Sequence, residues 1–105
     1  MYYVTLYTAD PAGFARVAEV YPRHRAYLDA FAEGGGLWLI GSFGDPEVEG
    51  SMAVFRTRDA AEEFVANDPF VTEGLVASSS IREWQPLEFE PARASRTLDP
   101  ANFVG

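Results

Sequence analysis

The chain has 105 residues and a formal net charge of −8, with 48% apolar and 23% charged residues. This length suits one globular domain with a modest core. The acidic balance disfavours nucleic acids and anionic membranes as partners, because both carry negative charge themselves.

The first half of the chain reads as a strand, a long helical region and a glycine stop. Residues 2–8 alternate in a β-rich pattern and are predicted to form the first strand. Asp10, followed by a proline, then begins a helical region that ends at the triple glycine 34–36. Pro22 lies inside this region and is predicted to kink the helix or start a second segment, because an interior proline costs about 3 kcal/mol.

The second half of the chain continues with strands and short helices. The predicted elements are a strand over 37–43, a hairpin connection over 44–50, a strand over 51–57, a helix over 59–67, a short helix over 69–75 and a strand over 78–84. A capping-box pattern of Asp59 and Glu62 begins the longer helix. Asp68 is the predicted N-cap of the short one.

This order of elements is β-α-β-β-α-β, the split pattern of the ferredoxin-like fold. We therefore predict an α+β domain over residues 1–85, in which a four-stranded antiparallel sheet carries both helices on one face. Residues 86–105 are rich in proline and read as an irregular tail, which Phe89, Leu98 and Phe103 are predicted to pin to a surface. The tail is either a partly ordered arm or one that reaches across a dimer.

Apolar residues occupy both faces of the predicted sheet. If Val4 and Leu6 face the helices, then Tyr3 and Tyr7 face away from them. The second and third strands also carry apolar residues on both sides. Since a solvated sheet face is normally polar, we expect a second copy of the chain to cover the outer face in a homodimer.

His24 is the only histidine, and it falls on the apolar stripe of the first helical region. Histidine is the residue type that titrates near neutrality, so a carboxylate that orients its ring can make it an acid or base. Asp68, at the end of the neighbouring helix, is the candidate partner. Each residue also has a structural interpretation: Asp68 as a helix cap and His24 as a core hydrogen-bonding group.

Several segments resemble the YciI-like (YCII-related) family. They are Pro22-Arg-His-Arg-Ala-Tyr-Leu28, Leu37-Trp-Leu-Ile-Gly-Ser42, Asn67-Asp-Pro-Phe-Val71, Gly74-Leu75-Val76 and Ile81-Arg-Glu-Trp84. The resemblance implies a ferredoxin-like domain that dimerises through its sheet, as in dimeric α+β barrels, and a His-Asp dyad formed by His24 and Asp68. It also implies lyase-type chemistry, since a characterised relative is a dehydrochlorinase.

Three further residues are candidates for binding a small-molecule substrate. Ser42 stands where many relatives have proline, so its hydroxyl can line a pocket or simply lie in the strand. Arg25 flanks the histidine and is either a contact for an anionic substrate or a surface charge. Tyr27 is one turn from His24 and is either a pocket wall or part of the core.

Other features of the sequence limit the chemistry. A single histidine without cysteines disfavours a zinc or iron centre, and neither GxxxxGK[ST] nor GxGxxG occurs, so we expect no metal and no cofactor. We also expect a cytoplasmic protein, because the amino terminus lacks the pattern of a signal peptide and no apolar stretch is long enough to span a membrane.

Two functions follow as alternatives. The first is a small cofactor-independent enzyme that uses His24 and Asp68 for acid-base chemistry on a small organic molecule, with a cofactor-free monooxygenase as a variant on the same scaffold. The second is a non-catalytic homodimeric module that binds a small ligand or a partner. The fold by itself does not choose between them.

Overall fold

The computed structural model describes residues 1–89. Its elements are β1 (Tyr2–Ala9), α1 (Pro11–Phe14), α2 (Val17–Glu33), β2 (Leu37–Ser42), α3 (Pro46–Glu49), β3 (Ser51–Phe55), α4 (Arg58–Asn67), α5 (Pro69–Thr72) and β4 (Val76–Trp84). The strands form one antiparallel sheet of four in the order β2-β3-β1-β4. This architecture confirms the predicted ferredoxin-like α+β fold.

The core lies between the sheet and the two longer helices. Its buried centre combines Phe55 and Ala53 of β3 with Phe64 and Ala61 of α4. Partly buried side chains of α2 close the core from the other side, and Phe31 meets Phe64 edge-on at a ring distance of 5.3 Å. Aromatic pairs in this geometry add to the free energy of area burial by about 1 kcal/mol each.

The face of β1 that packs under the helices is the tyrosine face. Tyr3 and Tyr7 belong to the core cluster with the helices, so Val4 and Leu6 lie on the outer face of the sheet. The opposite assignment, with Val4 and Leu6 under the helices, is therefore wrong. The physical reason is that a buried tyrosine needs a partner for its hydroxyl, and Tyr7 finds one in Asp68 beneath the helices.

A register shift between Leu37 and Leu39 reorders the faces of β2. Leu37 pairs with Phe55 and Ile40 with Ala53, so both lie on the helix side even though their positions differ by an odd number. A bulge inserts one extra residue and exchanges the faces beyond it. Strict alternation, which groups Leu37 with Leu39 against Ile40, is thus wrong after the bulge.

Two helix boundaries differ from the sequence patterns. Helix α2 runs without interruption through Pro22. The helical region is interrupted earlier, at Ala15 and Arg16 between α1 and α2. Helix α4 is capped by Thr57, whose hydroxyl accepts from the Ala60 amide at 3.1 Å, and the predicted capping box at Asp59 is not the start. Thr57 has extended backbone, as an N-cap requires.

The chain after β4 is described only as far as Phe89, which is 83% exposed and so is not pinned to its own domain. Leu98 and Phe103, the other predicted anchors of the tail, lie outside the described residues. Within residues 1–89, none of the helices has the length and apolar character needed to cross a membrane.

Candidate functional site

His24 lies in the middle of α2 on the side that faces α5. Only 7% of the surface of His24 is exposed. The Nδ1 atom of its ring lies 2.8 Å from Oδ1 of Asp68. The Nε2 atom has no hydrogen-bond partner among residues 1–89, and the ring lines a cavity.

Asp68 is fully buried and its two carboxylate oxygens make three hydrogen-bond contacts. Oδ1 accepts from the backbone amide of Phe70 at 3.0 Å, which caps α5, and also contacts His24. Oδ2 accepts from the hydroxyl of Tyr7 at 2.9 Å. A buried charge is tolerated only when it is hydrogen-bonded and paired, and this carboxylate meets that condition. Asp68 is therefore both the cap of α5 and the partner of His24.

Tyr7 reaches Asp68 from the sheet. Burial raises the pKa of the Tyr7 hydroxyl, and the neighbouring Asp68 carboxylate raises it further. The hydroxyl consequently keeps its proton and acts as a donor to the carboxylate.

Aromatic rings fix the plane of the imidazole. Phe70, two residues after Asp68, stacks on the His24 ring with a centroid distance of 3.7 Å and an angle of 5° between the planes. Tyr21, one turn before His24 on α2, lies at 6.0 Å in a tilted arrangement. Stacking and the Nδ1 contact together leave the ring a single orientation.

A polar clamp on the surface joins α2 to the end of α5. Arg23 donates to both oxygens of the Glu73 carboxylate, at 2.9 and 2.6 Å, and Arg16 donates to the Glu73 backbone carbonyl. The hydrogen bonds from Arg23 lower the pKa of the Glu73 carboxyl. This clamp ties the segment that carries Asp68 and Phe70 to the helix that carries His24.

The cavity beside His24 has a volume of about 500 Å³, within the range of pockets that hold small organic molecules. Its walls are mainly apolar and include aromatic rings; they include Phe14, Tyr21, Leu28, Leu37, Ile40 and Phe70. Its polar groups come from His24, Ser42 and Arg25, among others. Such a lining suits a flat apolar molecule with a few polar substituents.

Four of the five residues singled out in the sequence line or adjoin this cavity. His24 and Asp68 are in contact, and Ser42 and Arg25 lie in the cavity wall, where Arg25 also pairs with Asp29 at 3.0 Å. Tyr27 does not line it: this side chain faces a second, smaller depression, and its hydroxyl donates to the Phe64 carbonyl at 3.1 Å. Burial raises the pKa of Tyr27 to about 12.

The structure adds two side chains that sequence reasoning did not place at the site. With Val4 and Leu6 under the helices, alternation in β1 puts Tyr7 on the far face of the sheet, and no local pattern links it to Asp68, 61 positions away. Phe70 was part of the quoted Asp-Pro-Phe segment, and its position in the first turn of α5 brings it over the histidine ring. Within residues 1–89, no three or more histidine, aspartate or glutamate side chains are grouped so as to hold a metal ion.

Comparison with known proteins gives a structural relative and a family. The 5-chloro-2-hydroxyhydroquinone dehydrochlorinase from Burkholderia phenoliruptrix AC1100, solved in complex with 2,5-dihydroxybenzoquinone, is similar in fold with a TM-score of 0.65 and 23% sequence identity, over 81% of this chain and 94% of that one. No curated protein matches the sequence. The model of the YCII-related domain matches residues 1–85. The chain therefore belongs to the YCII-related domain family.

Proposed function

We propose that this protein is a small enzyme that uses His24 as a general base or acid, oriented by Asp68, without a cofactor. The observation that carries the proposal is the 2.8 Å contact from Nδ1 of His24 to Asp68, in a ring that also lines a cavity of about 500 Å³. A histidine held at one nitrogen can exchange a proton at the other.

The reaction class we propose is proton abstraction followed by loss of a leaving group. Nε2 of His24 takes a proton from the substrate, and Asp68 stabilises the imidazolium that forms, because the carboxylate faces the protonated Nδ1. The substrate is a small aromatic or enolisable molecule, since the cavity wall is mainly apolar and includes the rings of Phe14, Tyr21 and Phe70. The structural relative, which is named a dehydrochlorinase, supports this class by analogy of fold only.

We further propose that the polar residues of the cavity contact substituents of the substrate. Arg25 is suited to an anionic oxygen and Ser42 to a hydroxyl, because a guanidinium is a permanent charged donor and a serine hydroxyl both donates and accepts. We place Tyr27 outside this role, since its hydroxyl is bound to the backbone of α4.

The proposed assembly is a homodimer joined through the outer face of the sheet, in the cytoplasm. The exposed apolar side chains Trp38, Leu39 and Trp84 on β2 and β4 support this assembly, because a pairing of two such faces removes them from water.

A turnover assay tests the proposed chemistry. A panel of chlorinated di- and trihydroxybenzenes is incubated with the protein, and release of chloride is followed together with the absorbance of the quinone product. We expect His24→Gln to lower the rate at least about 100-fold, as for loss of a general base. Arg58→Gln is the control, because Arg58 lies on α4 and is not part of the cavity wall.

A folded His24→Gln protein that turns over at the wild-type rate contradicts the proposal. Oxygen consumption with a quinol, in place of chloride release, points instead to the monooxygenase variant of the fold.

A second candidate function is a non-catalytic module that binds a small ligand. The observation favouring it is that every hydrogen bond of Asp68 also has a structural purpose: it caps α5 and satisfies Tyr7 and His24. In that case His24→Gln lowers stability and leaves ligand affinity nearly unchanged, which calorimetry with the same panel measures.

A further inference from the structure

Beneath the candidate dyad lies a third polar group, the hydroxyl of Tyr7. It donates to Oδ2 of Asp68 at 2.9 Å, on the side of the carboxylate away from His24. Within residues 1–89 the hydroxyl has no other hydrogen-bond partner. Tyr7 comes from β1, whereas Asp68 and His24 come from α5 and α2, so the contact joins the sheet to both elements of the dyad.

We propose that Tyr7 is a positioning residue, which acts through Asp68 to hold His24 as the Nδ1–H tautomer with the Nε2 lone pair directed to the cavity. This inference rests on the proposed function for its catalytic meaning. Its structural content, the tautomer and its dependence on Tyr7, is independent of any substrate.

A count of donors and acceptors supports the proposal. An ionised carboxylate only accepts hydrogen bonds. Oδ1 receives the amide proton of Phe70, which is always a donor, and Oδ2 receives the Tyr7 proton. Hydrogen bonds to the charged form of a group favour that form. With Asp68 held as an acceptor, the proton in the 2.8 Å contact with His24 belongs to Nδ1, and neutral His24 then carries its lone pair on Nε2.

Tyr7 is the donor on which this arrangement depends. The Phe70 amide belongs to the backbone of α5, whereas the Tyr7 hydroxyl belongs to a side chain and can be removed by substitution. Without the Tyr7 hydroxyl, Oδ2 of Asp68 is a buried acceptor with no partner, and such a group is stabilised by taking up a proton. The dyad then binds a proton at higher pH, and Nε2 is less available as a base.

Within the described part of the chain, residues 1–89, few charged and titratable groups lie around the contact. Those facing it from the packed elements are His24, Tyr21 and Tyr27 of α2, with Arg25 and Asp29 at the cavity wall, and Asp68 before α5. The strand neighbours of Tyr7 are Ser51 and Ser79, which carry no charge. Tyr27 is bound to the carbonyls of Phe64 and Glu63, so it does not replace the Tyr7 proton.

Nuclear magnetic resonance of the histidine ring nitrogens tests the proposal directly. The chain has a single histidine, so protein labelled with ¹⁵N-histidine gives one Nδ1 and one Nε2 signal, whose shifts identify the tautomer. We expect the Nδ1–H tautomer in the wild type. In Tyr7→Phe we expect the midpoint of the ring titration to rise by roughly one pH unit, about tenfold in proton affinity, as for loss of a hydrogen bond to a charged group.

Tyr3→Phe is the matched control. Tyr3 lies on the same strand and the same face, four positions away, and its ring packs against the same core. Tyr3→Phe removes the same kind of hydroxyl without a contact to Asp68. The midpoint of the histidine ring titration in this variant is therefore expected to stay at the wild-type value.

A second substitution keeps the test decisive if Tyr7→Phe does not fold. Replacing Tyr7 with 3-fluorotyrosine leaves the shape nearly unchanged and makes the hydroxyl a stronger donor, so the midpoint is expected to fall. A wild-type ring in the Nε2–H tautomer, or a midpoint that no Tyr7 variant moves, overturns the proposal. If the midpoint shifts as expected while His24→Gln keeps full turnover, the proposed enzyme function fails and the positioning role stands.

Discussion

At the residue scale, Asp68 is distinguished from the other aspartates by what surrounds it. The dipeptide Asp-Pro also precedes α1 and α3, where Asp10 accepts from the Gly13 amide at 2.9 Å and Asp45 from the Glu47 amide at 3.2 Å. These three caps share extended backbone and a proline at the first helical position. Only Asp68 among them is fully buried and also bonded to side chains of two other elements.

This difference predicts unequal costs for removing the caps. We expect Asp68→Ala to lower the free energy of unfolding by about 3 kcal/mol, because it removes a cap and leaves the buried Tyr7 hydroxyl without its partner. Asp10→Ala is the matched control and should cost about 1 kcal/mol, as for a cap alone. Urea unfolding of both variants measures the difference. Equal losses would show that the buried contacts add nothing to the cap.

At the element scale, the short helix α5 is the part that assembles the site. Its N-cap Asp68 supplies the carboxylate and its second residue Phe70 the stacking ring, and the residue after it, Glu73, is held against α2 by Arg23. Helix α1 supports the same segment from below: a side-chain carbon at Gly13 would lie 2.0 Å from the Gly74 carbonyl oxygen. A glycine is required there because the two backbones are in direct contact.

The Arg23–Glu73 pair predicts a dependence of stability on pH. The folded-state pKa of Glu73 is lowered, so the pair stabilises the fold above the ordinary pKa of glutamate and loses this effect as the pH falls through the folded value. We expect the stability difference between wild type and Arg23→Gln to be present at pH 7 and to shrink toward zero in acid. Unfolding curves from pH 7 to 3 at low salt measure it.

Arg58→Gln serves as the comparison for this pair, because the carboxylate that Arg58 bonds to, Glu62 at 3.4 Å, belongs to the same helix. The contact of Arg58 with another element is with the uncharged ring of Tyr3 in β1. A constant difference across the pH range for Arg23→Gln would contradict the role given to Glu73.

The proline of α2 is informative at the same scale. Pro22 removes one amide donor from the helix, yet α2 continues through it. Tertiary packing of Val20 and His24, the buried residues of α2, holds the helix together across this position. The local rule that interior proline interrupts a helix was therefore outweighed by contacts that a sequence window does not contain.

At the scale of the whole molecule, the outer face of the sheet is divided in its chemistry. The β2 and β1 side carries Trp38, which stacks on Tyr2 at 4.7 Å, and Leu39. The β4 side pairs Ser80 with Leu6 and Arg82 with Val4, so polar groups border the apolar region. Protein interfaces likewise combine apolar regions with polar groups at their borders.

A charge placed in this face is predicted to break the proposed dimer. Leu39 is 54% exposed on the outer face, so Leu39→Arg disturbs little packing in the monomer and introduces an unpaired charge into the interface. Sedimentation is expected to give a dimer for the wild type and a monomer for the variant. Val48→Arg is the control, since Val48 is 79% exposed and belongs to α3 and not to a strand of the sheet. A wild-type monomer, or a dimeric Leu39→Arg protein, counts against the assembly.

Much of this architecture follows from local patterns in the sequence. Alternation in β1, the Asp-Pro helix starts and the glycine stop after α2 act over a few residues, so they predict the order of elements and hence the fold. The same patterns place His24 on a buried stripe and Asp68 at a helix start. Both are features of one element at a time.

The arrangement of the site was decided by tertiary structure. Whether the end of α4 and α5 reaches the middle of α2 depends on how the two helices lie on the sheet, and the 2.8 Å contact is a result of that packing. Which face of β1 packs under the helices depends on the partner of the Tyr7 hydroxyl, which is 61 positions away in the sequence. The side of the sheet on which Ile40 lies depends on the bulge in β2. Sequence periodicity determined which elements form; only long-range packing, which no local window contains, brought Tyr7, His24 and Asp68 together.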